Sequence, residues 1–261
     1  MALTGNSRIG LVAALVTVLV VSSVVGFVLL NPPAEENSLT VTLLTNAGVM
    51  IEAEGLRIYI DPYRLPDNYS DLPADAILIT HPHGDHYHQS SISLIETEDT
   101  IFIMPENMTT EVTRHDAIGV NPGDSVQVGT INITAFYMYT LPVQEYEASH
   151  PAEANWTSYI VDIDGFTIFH AGDTKDIPEH EQLEGLIDVA FVPLGPGCQA
   201  CYEDEVVNVA DMIKPNYFVG MHYATGYNVD FENEFGEDIA AINDCVLINM
   251  GYWSSYTFQI E

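Results

Sequence analysis

Basic residues are scarce in this sequence: six Lys and Arg stand against 38 Asp and Glu, a formal net charge of −32 at pH 7. A protein that binds nucleic acid neutralises phosphates with clustered Lys and Arg. This chain would repel the polymer, so nucleic-acid partners are not expected and a nuclease is disfavoured. Every acid lies beyond residue 34, and Arg57, Arg64, Arg114, Lys175 and Lys214 are the basic residues of that same portion. A carboxylate-rich surface of this kind reads as adaptation to high salt, where self-repulsion is screened. Disorder does not follow from the charge, because 47% of the residues are apolar and strand patterns are ordered. Cysteine is scarce as well. Three cysteines are too few for a disulfide scaffold. Cys198 and Cys201 have the spacing of a redox or metal pair, yet no second such pair occurs and no thioredoxin-like strand precedes them. A local disulfide or two unpaired thiols fits them better, and Cys245 reads as a small core residue. Internal repeats and low-complexity tracts are absent too, so residues beyond the linker fit one domain.

One long apolar run is present. Residues 9 to 30 carry no charge and are long enough to cross a bilayer. Arg8 precedes the run and Glu35 and Glu36 follow it, so the positive-inside rule puts residues 1–8 in the cytoplasm. The expectation is a single-pass membrane protein, anchored by a transmembrane helix at 9–30, with a linker at 31–38 and a catalytic domain at 39–261 outside the cytoplasm. A cleaved signal peptide is the alternative.

Within 39–261, alternating apolar segments predict a meander of strands at 40–45, 49–53 and 56–60. Further strands are expected at 76–80, 100–104, 126–128 and 131–140. Residues 157–163 and 166–170 flank Asp164-Gly165, a strong hairpin turn signal, and strands follow at 188–192, 217–221, 246–249 and 256–260. Helices are expected at 90–98, 107–114, 203–213 and 232–242. The third is the clearest, with Val206, Val209, Ala210 and Ile213 on one stripe and acids in its first turn.

The chemistry sits at strand ends. The buried strand Ala76-Ile77-Leu78-Ile79 runs into Thr80-His81-Pro82-His83-Gly84-Asp85-His86. Pro82 and Gly84 stop regular structure, so four potential metal ligands crowd onto one tight loop. Imidazoles with a carboxylate suit a catalytic zinc or iron site better than a closed structural one. Two more strands end on ligands: Phe166 to His170 runs into Ala171-Gly172-Asp173-Thr174, and Tyr217 to Met221 runs into His222. His150-Pro151 lies in a polar loop between them.

With these segments in this order, and with Ile60-Asp61-Pro62 and Ile213-Lys214-Pro215 besides, the chain resembles the metallo-β-lactamase-fold hydrolases. The likeness is to the small, single-domain, lactonase-like branch and runs from about Leu39 to His222. The resemblance implies an α/β (α+β) fold, a four-layer αββα sandwich. It implies a dinuclear centre of two divalent metal ions, zinc or else manganese or iron, with a bridging hydroxide that cleaves a small ester, lactone or phosphodiester. His81, His83 and His150 would hold the first metal. Asp85, His86 and His222 would hold the second, and Asp173 would bridge them, so Asp85 and Asp173 are its catalytic carboxylates. Di-zinc β-lactamases place a cysteine near that bridging role, so antibiotic resistance is not expected. His115 is the rival of His150. Asp61 should orient a ligand imidazole, and His170 should orient or pack. His88 and His180 read as surface residues, and Tyr223 as either an oxyanion donor or a packed aromatic. The loop Gly195 to Cys201 departs from the family pattern. The alternative to an enzyme acting on a small molecule is a metal-binding or sensing module of the same fold.

Overall fold

The protein is described from a computed structural model covering residues 38–260, apart from Val143, Pro196, Cys198 and Gln199. Residues 1–37, with the apolar run at 9–30 and most of the linker, lie outside the described residues. The expected membrane placement is corrected. Among the described residues no helix is long and apolar enough to cross a membrane. The longest helix among the described residues has 15 residues and five acids among them, Asp230, Glu232, Glu234, Glu237 and Asp238, whereas a span needs about 20 mostly apolar residues.

Two seven-stranded sheets and a few short helices make up an α/β fold. In the first sheet, β1 (Ser38–Leu43), β2 (Val49–Ala53) and β3 (Leu56–Ile60) form an antiparallel meander. Next come β4 (Ala76–Leu78), β5 (Ile101–Pro105) and β6 (Ile118–Val120), each parallel to its neighbour. Helix α1 (Gln89–Ile95) connects β4 to β5, and α2 (Thr109–His115) connects β5 to β6.

The second sheet repeats this build. Strands β7 (Ser125–Val128), β8 (Ile131–Tyr137), β9 (Thr157–Ile163) and β10 (Phe166–His170) are antiparallel. Strands β11 (Val189–Pro193), β12 (Tyr217–Met221) and β13 (Val246–Leu247) then run parallel to β10. Helices α3 (Glu203–Ile213) and α4 (Tyr227–Ala241) make the crossovers, and β14 (Ser254–Gln259) returns to pair with β1.

Side-chain alternation sorts the core. On β3, Ile58 and Ile60 point into the cluster shared by both sheets. Tyr59 between them points to a second cluster, with Ile92 and Ile95 of α1. The same period of two separates Ala76 and Leu78 from Ile77 on β4. Strand β4 is buried throughout because it has cover on both faces.

Most expected elements are present within a few residues of their predicted ends. Strand β6 was not expected, since Ile118-Gly119-Val120 is short and half exposed. Helix α4 starts five residues before its expected start. Gly226, at φ 88°, turns the chain there, a conformation glycine adopts without strain. Tyr227, Phe231, Phe235 and Ile239 then share one face at intervals of four, with Phe231 and Ile239 fully inside.

Candidate metal centre

Every strand exit named above delivers its residue to one end of the sheets. Asp61, just past β3, is fully buried and accepts hydrogen bonds from the Thr80 backbone N–H at 2.8 Å and the Thr80 hydroxyl at 2.6 Å. These bonds fix the start of the loop after β4. The loop then turns tightly, with the His86 and Tyr87 amides both donating to the His83 carbonyl. Asp61 Oδ2 lies 2.7 Å from His86 Nδ1, so that nitrogen keeps its proton and Nε2 faces the centre. The Thr80 hydroxyl has spent its proton on Asp61, so at 2.9 Å from His81 Nδ1 it can only accept. His81 is thereby held with Nδ1 protonated and a lone pair on Nε2.

Around His81 Nε2 the imidazoles converge. His83 Nδ1 is 3.1 Å away and His150 Nε2 is 3.2 Å away. Ligands about 2.0–2.1 Å from a tetrahedral zinc are separated by roughly 3.3 Å, so the spacing suits a shared cation. His150 is reached through a loop whose root is closed by the Thr140 N–H donating to the His150 carbonyl at 2.8 Å. The His150 N–H returns a bond to the Thr140 hydroxyl at 3.1 Å. Burial pushes the His81 imidazole well below its ordinary pKa and lowers His150 to about 4. Both are neutral near pH 7, as ligands must be.

The second group is built differently. His222 leaves β12 at φ 53°, anchored by its N–H on the Asn46 carbonyl at 2.9 Å. Its Nε2 is 3.5 Å from Asp85 Oδ2, and the Asn46 side chain donates to the same oxygen at 3.1 Å. The neighbouring His222 imidazole holds the Asp85 carboxyl down at about 2. Burial alone would depress His86 and His222, but the Asp173 charge outweighs it, aided by Asp61 at His86 and Asp85 at His222, and raises both.

Asp173 lies between the groups. It is fully buried, and neither of its oxygens has a hydrogen-bond partner. Oδ2 faces His150 Nε2 at 3.6 Å and His81 Nε2 at 3.9 Å. Oδ1 faces His86 Nε2 at 3.3 Å and His222 Nε2 at 3.5 Å. Those two nitrogens are unpartnered too. Burial would raise the Asp173 pKa, but His86 and His222 hold it well below the carboxylate range. An unpaired buried carboxylate is costly, and cations on both sides would satisfy it. His81, His83, His150 and Asp173 form one group, and Asp85, His86 and His222 another, with the ligand atoms of each within 4.8 Å of one another. All seven expected ligands are therefore together.

The other expectations divide. Asp61 orients His86, as anticipated. His170 is buried and its Nε2 donates to the Ala47 carbonyl at 2.7 Å, tying β10 to the β1–β2 turn. His115 stacks on Phe102 and contacts Tyr87 and Glu96, apart from the groups above. Tyr223 is a packed aromatic: its hydroxyl donates to the Met250 carbonyl at 2.6 Å and its ring stacks on Tyr252. His88 is half-buried and caps α1. His180 is no surface residue; it is fully buried, stacked on Phe136, with both nitrogens unpartnered. Cys201 and Cys245 are free and buried, and Cys198 lies outside the described residues.

Two neighbours of the centre carried no signal in the sequence. Trp156 sets its ring 5.5–5.6 Å from the rings of His81, His83 and His150. Asn46 reads as a turn residue, and only the folded chain brings it to Asp85.

Comparison with known proteins agrees with this geometry. Residues 40–222 match the family model described as a beta-lactamase superfamily domain. A UPF0173 metal-dependent hydrolase of Pyrococcus furiosus is 32% identical, over 71% of this chain and 84% of its own length. A UPF0173 protein of Pyrococcus abyssi is 31% identical, over 69% of this chain and 81% of its own. Among solved structures, a metallo hydrolase from the archaeon Ignicoccus hospitalis has a TM-score of 0.70 at 20% identity, covering 86% of this chain and all of that one.

Proposed function

The chain belongs to the metallo-β-lactamase superfamily and is a metal-dependent hydrolase, and from that premise we propose that it cleaves a small ester, lactone or phosphodiester at a dinuclear centre. In this reading His81, His83 and His150 hold one divalent cation and Asp85, His86 and His222 the other. The donor set, rich in imidazole, suits zinc, with manganese or iron as alternatives. Two such cations would supply an acidified bridging water and polarise the scissile bond. Asp173 carries the proposal: a buried carboxylate whose two unpartnered oxygens face separate imidazole groups is built to bridge.

The rest of the chain prepares the site. Asp61 and Thr80 hold the His81 and His86 rings with their inner nitrogens turned to the centre. Asn46 holds Asp85. Trp156 lays an aromatic ring along the side of His81, His83 and His150. The reading extends to the architecture: α2 against β5, with α3 and α4 against β11 and β12, supports a four-layer αββα sandwich over residues 39–261. The excess of carboxylates supports adaptation to high salt.

Metal analysis by mass spectrometry, with turnover on ester, lactone and phosphodiester panels, tests the proposal. About two metals per chain with cleavage of one substrate class is the expected result. Two metals with no turnover on any class would favour a metal-binding module instead.

A further inference from the structure

Beside His222 lies a cleft of about 380 Å³, lined by Asn46, Leu194, Gly195, Gly197, Tyr223, Ala224 and Tyr227. That is the size of a small-ligand site. Its polar side chains are turned elsewhere. The Tyr223 hydroxyl donates to the Met250 carbonyl, the Tyr227 hydroxyl to Glu203, and the Asn46 amide to Asp85. Among the described residues, the cleft is left with the leucine, the alanine and the tyrosine rings, and with the His222 ring at one end. A Cβ on Gly197 would stand 3.6 Å from His222 Cε1, so glycine there keeps that imidazole face open.

No basic side chain of the described residues serves this cleft. Among the described residues the basic side chains are Arg57, Arg64, Arg114, Lys175 and Lys214, and none lines it. Arg57 is bound to Glu52, Lys175 to Glu205 and Lys214 to Glu184. Arg114 donates to Tyr87 and Gln89, and Arg64 lies over Tyr63. A second cleft, of about 570 Å³, flanks Pro151 and is lined by Glu145, Glu147 and Glu153, again without Lys or Arg. An anionic substrate would approach against the net charge of −32 and find no counter-charge on the cleft walls.

We propose that the cleft beside His222 receives an uncharged, apolar part of the substrate, so that the enzyme prefers neutral esters or lactones over phosphodiesters and carboxylate-bearing esters. This rests on the hydrolase reading above and narrows it. Leu194, Tyr223, Ala224 and Tyr227 are then the specificity-determining residues.

The test compares kcat/KM of the metal-loaded full chain on 4-nitrophenyl butyrate, on mono-4-nitrophenyl glutarate and on bis(4-nitrophenyl) phosphate. The neutral ester should exceed each anion by at least about ten-fold, the scale of one unit charge a few ångströms from an unmatched wall. Ala224 is exposed, so Ala224→Lys places a cation at the rim without disturbing the core. It should shift the butyrate-to-glutarate ratio toward the anion by several-fold, while Ala224→Gln, similar in length, should not. Equal or greater turnover of either anion by the unaltered chain would overturn the proposal, as would a ratio that Ala224→Lys leaves unmoved. Binding is read apart from turnover, by equilibrium dialysis against 4-nitrophenyl butyl ether and 4-(4-nitrophenoxy)butane-1-sulfonate. If no ester or phosphate is cleaved but the neutral ether alone binds, the ester and phosphodiester reading fails and the cleft assignment survives. If the ethers bind equally, or neither binds, the cleft assignment fails whatever is cleaved.

Discussion

Both halves of the centre are built on imidazoles, three in the first and two in the second, yet their charge differs. Around His81, His83 and His150 the donors are neutral rings, and burial keeps His81 and His150 uncharged. Around His86 and His222 two carboxylates, Asp85 and Asp173, together with Asp61 behind His86, raise the imidazole pKa values. The first half is therefore ready for a cation, with packing and one shared carboxylate to hold it. The second is charge-dense and organised by the hydrogen bonds that His86 donates to Asp61 and Asn46 donates to Asp85. Packing builds one half and electrostatics the other.

Asp173→Asn should erase the difference, because both halves depend on that carboxylate. The amide keeps the shape but removes the charge that offsets two dications, and its NH2 would meet imidazole nitrogens on one side. We expect bound metal to fall from about two per chain to well below one, and hydrolysis to be abolished with the fold retained. Mass spectrometry of the native protein and circular dichroism read the two parts. A variant that kept two metals and near-normal turnover would show that Asp173 bridges nothing.

The difference sharpens with Asp61→Asn. Asp61 accepts three bonds, from the Thr80 amide, the Thr80 hydroxyl and His86 Nδ1, and an amide cannot accept them all. His86 would lose its fixed tautomer. Loss of such a partner costs about 10–100-fold in metal affinity, and the loss should fall on the second half, leaving the first within a few-fold. Competition titration with a chromogenic chelator separates the two steps. Equal weakening of both halves would mean that the Asp61–Thr80 hinge positions the loop as a whole.

These contrasts also mark what the sequence could reveal. The ligand run from His81 to His86 was legible because Pro82 and Gly84 forbid regular structure and local spacing alone gathers four donors. Asp173 and His222 were legible as strand ends, since an apolar run that stops on a donor has few other readings. Strands β9 and β10 and helix α3 were legible for the same local reasons: a turn signal in one case, a clean apolar stripe in the other. His180 was misread because its neighbours are polar. A short 3₁₀ turn (Pro178–Leu183) rotates it inward against Phe136 and Phe169, and no periodicity announces one buried side chain. Trp156 and Asn46 were invisible because their partners are distant in sequence. The membrane expectation came from the length of one apolar run and the charges that flank it, at residues 9–30, which lie outside the described residues.

Trp156 should matter only to the first half. Trp253, the other tryptophan, packs on Tyr69 and makes no ring contact with the ligand imidazoles. Binding of Co(II) to the first half should quench Trp156 emission, and Trp156→Phe should lose that signal. Ring contacts of this kind contribute about 0.5–1.5 kcal/mol and phenylalanine keeps part of them, so the variant should lose no more than roughly ten-fold in first-half affinity and leave the second unchanged. Quenching that tracks only the second equivalent would reverse our assignment of the halves by packing and charge.

His180 completes the comparison as a buried imidazole offered neither a cation nor a carboxylate. Its nitrogens have no partner, and burial lowers its pKa from 6.5 to about 3. Between those values the unfolded chain binds a proton that the folded chain refuses, so stability must fall as the pH falls. The loss begins near pH 6.5, proceeds at up to about 1.4 kcal/mol per pH unit, and levels off near pH 3. Phenylalanine in its place fills the slot between Phe136 and Phe169 without a titrating group. We expect His180→Phe to bind metal as the unaltered chain does, and to lose less stability between pH 6.5 and 4.5 by denaturant unfolding. Carboxylates elsewhere titrate in both proteins, so the difference between the two curves isolates the imidazole. Parallel curves would mean that His180 takes up its proton in the folded state, and that burial without a charged partner does not suffice to hold an imidazole neutral here.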